Sequence, residues 1–164
     1  MIRHIALIAT LSSWASLAQA EMTLSLGKAI SQIDNVHIEE TPEERCPPDY
    51  ICLRGWSRWT LEVEETLAGP VVKGRIHVVM MQHSPMDESV FKRKLLFVLE
   101  RIDDAAERKR LHADYKLLEL SEPAMMYCTR TDPGQWKVPS DRIYRQDSDD
   151  DVSFCFPDPR SVDK

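Results

Sequence analysis

The chain has 164 residues, 27 acidic against 21 basic side chains, and a formal net charge of −6. That length suits one domain built round one core. The acidic balance argues against a nucleic-acid binder, which needs a concentrated basic face, and against a role that depends on anionic membrane surfaces.

The first twenty residues read as an export signal. Met1-Ile2-Arg3-His4 carries one firm positive charge and no acid, and an apolar run follows from Ile5 to Leu17. Ala18-Gln19-Ala20 then supplies the small-x-small pattern of a signal-peptidase site. The apolar run is short for a bilayer span and has no stop-transfer flank. Cleavage after Ala20 is expected, giving a periplasmic or secreted protein with no stable membrane insertion. It leaves 144 residues from Glu21 to Lys164 and removes Arg3, taking the net charge from −6 to −7. All four cysteines, Cys46, Cys52, Cys128 and Cys155, fall in this mature part. An even count in an exported domain predicts two disulfides. Of the three possible pairings, Cys46–Cys52 and Cys128–Cys155 join the neighbours in sequence. A structural zinc site is disfavoured because the C-x-x-C spacing is missing.

Residues 22–38 alternate loosely through Leu24, Leu26, Ala29, Ile30 and Ile33, as a strand or a short helix would. Residues 39–50 are acidic, contain proline and read as a loop that ends in the small disulfide. Trp59, Leu61 and Val63 alternate with Thr60, Glu62 and Glu64, the period of a strand with one buried face. Leu67-Ala68-Gly69-Pro70 breaks that strand, and residues 75–81 resume with β-rich composition, which makes a hairpin. Ile76, Val78 and Met80 should then share the core face with Trp59, Leu61 and Val63. Opposed residues would have numbers adding to 139 or 141, with His77 facing Glu62 or Glu64 and His83 facing Trp56 or Arg58. Lys94 to Leu99 is apolar on both faces and reads as a central strand, although a helix also fits. Asp103 or Asp104 can cap a short helix. Tyr115–Leu120 and Met125–Thr129 are further strands, Thr131-Asp132-Pro133-Gly134 is a turn, and Val152–Phe156 returns Cys155 to the body. The expected fold is mainly β, a small Greek-key barrel of the oligonucleotide/oligosaccharide-binding type with one short helix and two disulfides.

The run Cys46…Cys52…Trp59-Thr60-Leu61-Glu62-Val63…Gly69…Gly74-Arg75-Ile76-His77-Val78, followed by Leu95-Leu96-Phe97-Val98-Leu99, resembles the netrin-module and metalloproteinase-inhibitor-like barrels over about residues 46–120. The resemblance implies the barrel fold. Those inhibitors chelate the protease zinc through the amine of an N-terminal cysteine. The expected mature terminus here is Glu21, so the inhibitory mechanism is not carried over.

Catalytic motifs are absent from the sequence: no serine sits in a Gly-x-Ser-x-Gly setting and no His-Glu-x-x-His occurs. No cofactor is expected, and an enzyme of unrecognised type is the third reading. His77 against Glu62 or Glu64 is read as a cross-strand surface pair in preference to an acid–base couple. The acidic run Asp147-Ser148-Asp149-Asp150-Asp151 lacks the glycine and terminal glutamate of a calcium loop and reads as a solvated loop. Arg54, Trp56 and Arg58 form an aromatic-basic strip that, with His83, is the candidate contact patch. In this reading the protein is a non-enzymatic module that binds an unknown protein or small polar ligand. The alternative is a periplasmic copper protein using Met81, His83 and Met86, soft ligands suited to copper(I). Met81 and His83 would lie roughly 7 Å apart on one strand face.

Overall fold

A computed structural model describes residues 21–48, 55–82, 86–123, 126–136, 138, 140–147 and 152–158. The export signal, Cys52, Arg54, His83 and residues 148–151 of the acidic run lie outside the described residues.

Five strands close into a barrel: β1 (Met22–Ile33), β2 (Gly55–Ala68), β3 (Gly74–Gln82), β4 (Leu95–Arg101) and β5 (Tyr115–Ser121). The order round the barrel is β1-β2-β3-β5-β4, with β4 returning to β1. All neighbours are antiparallel except β3 and β5. This is the expected Greek-key barrel. Its one α-helix, α1 (Ala105–Leu111), connects β4 to β5. Asp104 caps it as anticipated, its side chain accepting from the Glu107 amide at 2.6 Å. A second small sheet follows in the order β6-β8-β7, from Met126–Thr129, Val152–Pro157 and Tyr144–Asp147.

Strand alternation sorts the apolar side chains into three clusters. Trp59, Leu61, Val63, Ile76, Val78, Leu95, Phe97, Leu99 and Leu117 fill the barrel. Small residues of β1, including Ala29, face these large side chains, the complementarity a narrow barrel requires. The outer face of β1 and β4, through Leu24, Leu26, Leu96 and Val98, packs under Tyr127, Trp136 and Phe156 of the C-terminal part. The outer face of β2 and β3, through Trp56 and Val79, packs under Ile38, Ile102, Leu111 and Ala113. β4 is thus apolar on both faces because both faces are covered, and the helical reading of residues 94–99 is corrected to a strand.

The β2–β3 face assignment is confirmed, with Trp59 opposite Val78, Leu61 opposite Ile76 and Ser57 opposite Met80. The register differs from the expectation: opposed numbers add to 137. His77 faces Thr60, whose hydroxyl is 3.4 Å from Nδ1. Glu62 faces Arg75 at 3.6 Å, and Glu64 binds Lys94 at 3.0 Å. The proposed histidine–glutamate pair is therefore not formed. Trp56 faces Met81 and Arg58 faces Val79, where His83 had been placed. The connection sets this register. β2 leaves β3 at Val63 and runs on along β1 to Ala68, so the turn is a wide loop. Thr66 fixes that loop, its hydroxyl donating to the Val72 carbonyl at 2.8 Å and accepting the Val72 amide at 3.0 Å.

Cys128 and Cys155 stand directly opposite each other in β6 and β8 and form a disulfide. It is the one disulfide with both partners among the described residues, where two were expected. Cys46 is disulfide-bonded as well.

Candidate binding cleft

Of the anticipated contact patch, Trp56 and Arg58 are described. Trp56 does not project into solvent. It is 8 % exposed and belongs to the apolar cluster over β2 and β3. The strand period places Trp56 on the side of β2 away from the barrel, but that side is covered by Ile38, Ile102 and Leu111. Arg58 is half-buried beside it, an Nη donating to the Leu111 carbonyl at 3.4 Å. Met81 packs against the same outer cluster, whereas Met86 packs against the barrel interior. The sheet thus separates these two thioethers. Among the described residues no group of three or more His, Cys, Asp or Glu is placed to hold a metal ion.

The structure adds a cleft at the rim of Trp56. It has a volume of about 710 Å³ and is lined by Asn35, His37, Glu39, Glu40, Arg45 and Trp56, with Val36, Ile38 and Gly55 completing the wall. Its origin lies in the exit of the chain from β1. Asn35 takes φ 52°, the left-handed conformation that asparagine tolerates better than most residues. Beyond it the chain again runs alongside β2, the Val36 amide donating to the Trp56 carbonyl at 2.9 Å. Side chains then alternate as in a strand: His37 exposed, Ile38 buried, Glu39 exposed. The apolar partners hold this segment down while the polar ones line the cleft.

Arg110 fixes the far wall. From α1 it donates to the Glu39 carbonyl at 2.6 Å and makes two bonds to the Glu44 carboxylate, 2.8 and 2.9 Å. Glu44 also accepts the Thr41 amide at 2.9 Å, which closes a turn. Burial pushes the Glu44 carboxyl up, but the hydrogen bonds from Arg110 and Thr41 and the Arg110 charge outweigh it, leaving it below its ordinary value. Both side chains are about four-fifths buried, so solvent screening is reduced. Arg110→Ala should lower stability by about 1–2 kcal/mol and speed amide exchange across residues 39–45. The Glu44 contribution is complete above the unfolded glutamate pKa of about 4.3 and disappears as pH falls through the depressed folded value. Denaturation of wild type and Arg110→Ala at a series of pH values should show their difference shrinking below about pH 4. A constant difference would mean the pair does not stabilise the wall.

Asn35, His37, Glu39, Glu40, Arg45 and Arg110 were not singled out by sequence reasoning. The available signal was Asn35 followed by the alternation Val36, His37, Ile38, Glu39. Fold and cleft together define a closed five-stranded Greek-key barrel with a polar-walled groove beside β2. No family model matches the chain, and neither a curated protein nor a solved structure is significantly similar to it.

Proposed function

We propose that this protein is an exported, non-enzymatic binding module that takes a protein segment or small polar ligand into the cleft over Trp56. The observation that carries this reading is the lining itself. An aromatic floor meets an imidazole, two carboxylates, a guanidinium and an amide across about 710 Å³, the mixture of apolar surface and oriented polar groups that ligand sites use. The earlier patch is thereby moved: Trp56 contributes as floor, and the cleft residues supply the polar contacts.

Export is supported by the disulfide, which persists in oxidising compartments. The expected cleavage also leaves the barrel whole. β1 starts at Met22, and Glu21 is tied to β4 by the Arg101 amide on its carbonyl at 3.0 Å and by the Arg101 guanidinium at 3.5 Å. No helix among the described residues is long and apolar enough to cross a membrane. The netrin-module likeness is supported by the barrel order alone.

Two measurements test the reading. Mass spectrometry of the exported protein should give Glu21 as the first residue, and a retained leader would refute cleavage after Ala20. Pull-down from the extracytoplasmic fraction, with disulfides intact, should recover a partner that the double variant His37→Ala, Arg45→Glu loses. Arg75→Glu, which lies on the other flank of β2 and β3, should retain it. Identical partners for all three proteins would place the contact elsewhere.

A further inference from the structure

The backbone of the cleft wall narrows the ligand class, and this step rests on the binding role just proposed. In an antiparallel ladder the backbone groups of successive residues point alternately to the two sides. The Val36 amide points to β2, where it meets the Trp56 carbonyl. The backbone groups of His37 and Glu39 therefore point the other way. The Glu39 carbonyl confirms this direction, since it accepts from Arg110 on α1. The segment thus borders the cleft as the edge of an added strand, with the His37 amide and carbonyl and the Glu39 amide on its open side.

Two independent features say what this edge would meet. Glu39 and Glu40 line the cleft against one cation, Arg45, and Arg110 is already committed to Glu44 and to a carbonyl. The excess charge is negative, in a mature chain of charge −7. Trp56, more than nine-tenths buried, also lines the cleft, and its Nε1 has no hydrogen-bond partner among the described residues. An unpaired indole N–H calls for an acceptor, which a bare cation such as a polyamine does not offer.

We infer that the cleft receives an extended peptide segment with basic side chains, added as a strand along residues 36–40. Its backbone pairs with His37 and Glu39, one of its carbonyls accepts from the Trp56 indole, and its cations meet Glu39 and Glu40. Strand addition of this kind takes affinity from main-chain hydrogen bonds and selectivity from alternate side chains.

The test uses the mature protein with disulfides intact and four probes: a capped heptapeptide alternating lysine and valine, its glutamate–valine counterpart, an N-methylated lysine–valine peptide, and spermidine. Calorimetry should show binding of the first alone. Glu39→Gln with Glu40→Gln should weaken it at least tenfold. Trp56→Phe, which keeps the ring and removes the donor, should weaken it several-fold. Equal binding of spermidine or of the N-methylated peptide would overturn strand addition, and equal binding of the acidic peptide would overturn the charge assignment. If no peptide binds while His37→Ala, Arg45→Glu still loses its pulled-down partner, this inference falls and the cleft reading stands. If that variant loses nothing either, both fall.

Discussion

Gly27→Ala should abolish the fold or cost more than about 4 kcal/mol, the range reserved for a specific structural violation. Gly27 is the residue at which β1 is paired on both sides, with Val63 of β2 and Leu95 of β4. A Cβ there would lie 2.1 Å from the Glu62 carbonyl oxygen, and 3.0 Å from the Glu62 carbonyl carbon and the Val63 Cα. All three atoms are backbone, so no rotamer change relieves the overlap. The barrel must instead part β1 from β2, which breaks ladder bonds and opens the interior beside Leu61 and Val63. Gly74 provides the control. It takes φ +76° but has open space round it, so Gly74→Ala carries backbone strain alone, about 1 kcal/mol. Urea denaturation of the two variants at neutral pH should separate them by several kcal/mol. Comparable midpoints would show that β1 and β2 are less tightly opposed at Gly27 than their coordinates state.

The parts legible in the sequence are those where one strand's own alternation carries the information. Trp59, Leu61 and Val63 declared the inner face of β2, and the double-sided run Leu95–Leu99 declared a strand covered on both faces. Asp104 declared its helix, and the Cys128–Cys155 pairing came out as expected. The register of β2 on β3 was not legible, because it depends on a wide loop held by Thr66 and not on a tight turn with a fixed residue count. The exposure of Trp56 was misread for a related reason. Alternation assigns a side chain to one side of a strand, but what covers that side comes from residues 36–38, 102 and 111–113. The cleft was invisible for the same cause, since its lining joins residues 35–45 to Gly55 and Trp56. β7 gave no signal at all: its four residues are exposed and present no apolar face.

Trp59→Ala should cost about 3–5 kcal/mol, a large share of the roughly 5–15 kcal/mol that holds a domain of this size together. Trp59 is 1 % exposed within the barrel and stacks on Phe91, ring centroids 5.8 Å apart at 26°. Phe91 belongs to the 3₁₀ turn Glu88–Lys92, so the pair joins that turn to the barrel core. Removing the indole leaves a cavity that the walls cannot close, because β2 is held by ladders to β1 and β3. Trp59→Phe should behave differently. The Trp59 Nε1 is buried with no hydrogen-bond partner, so phenylalanine loses ring volume but also removes an unsatisfied donor, a group that is costly to bury. These two effects oppose, and the expected cost is below about 1.5 kcal/mol. Denaturation midpoints with disulfides intact give the comparison. Equal losses for the two substitutions would mean that the indole N–H has a stabilising partner in solution. A small loss for Trp59→Phe beside a large one for Trp59→Ala would establish that the barrel depends on the ring at this position and not on its polar atom. At Trp56 the expectation is the reverse: there the same substitution to phenylalanine should spare stability and weaken peptide binding, which distinguishes a ring that fills the core from one that floors a site.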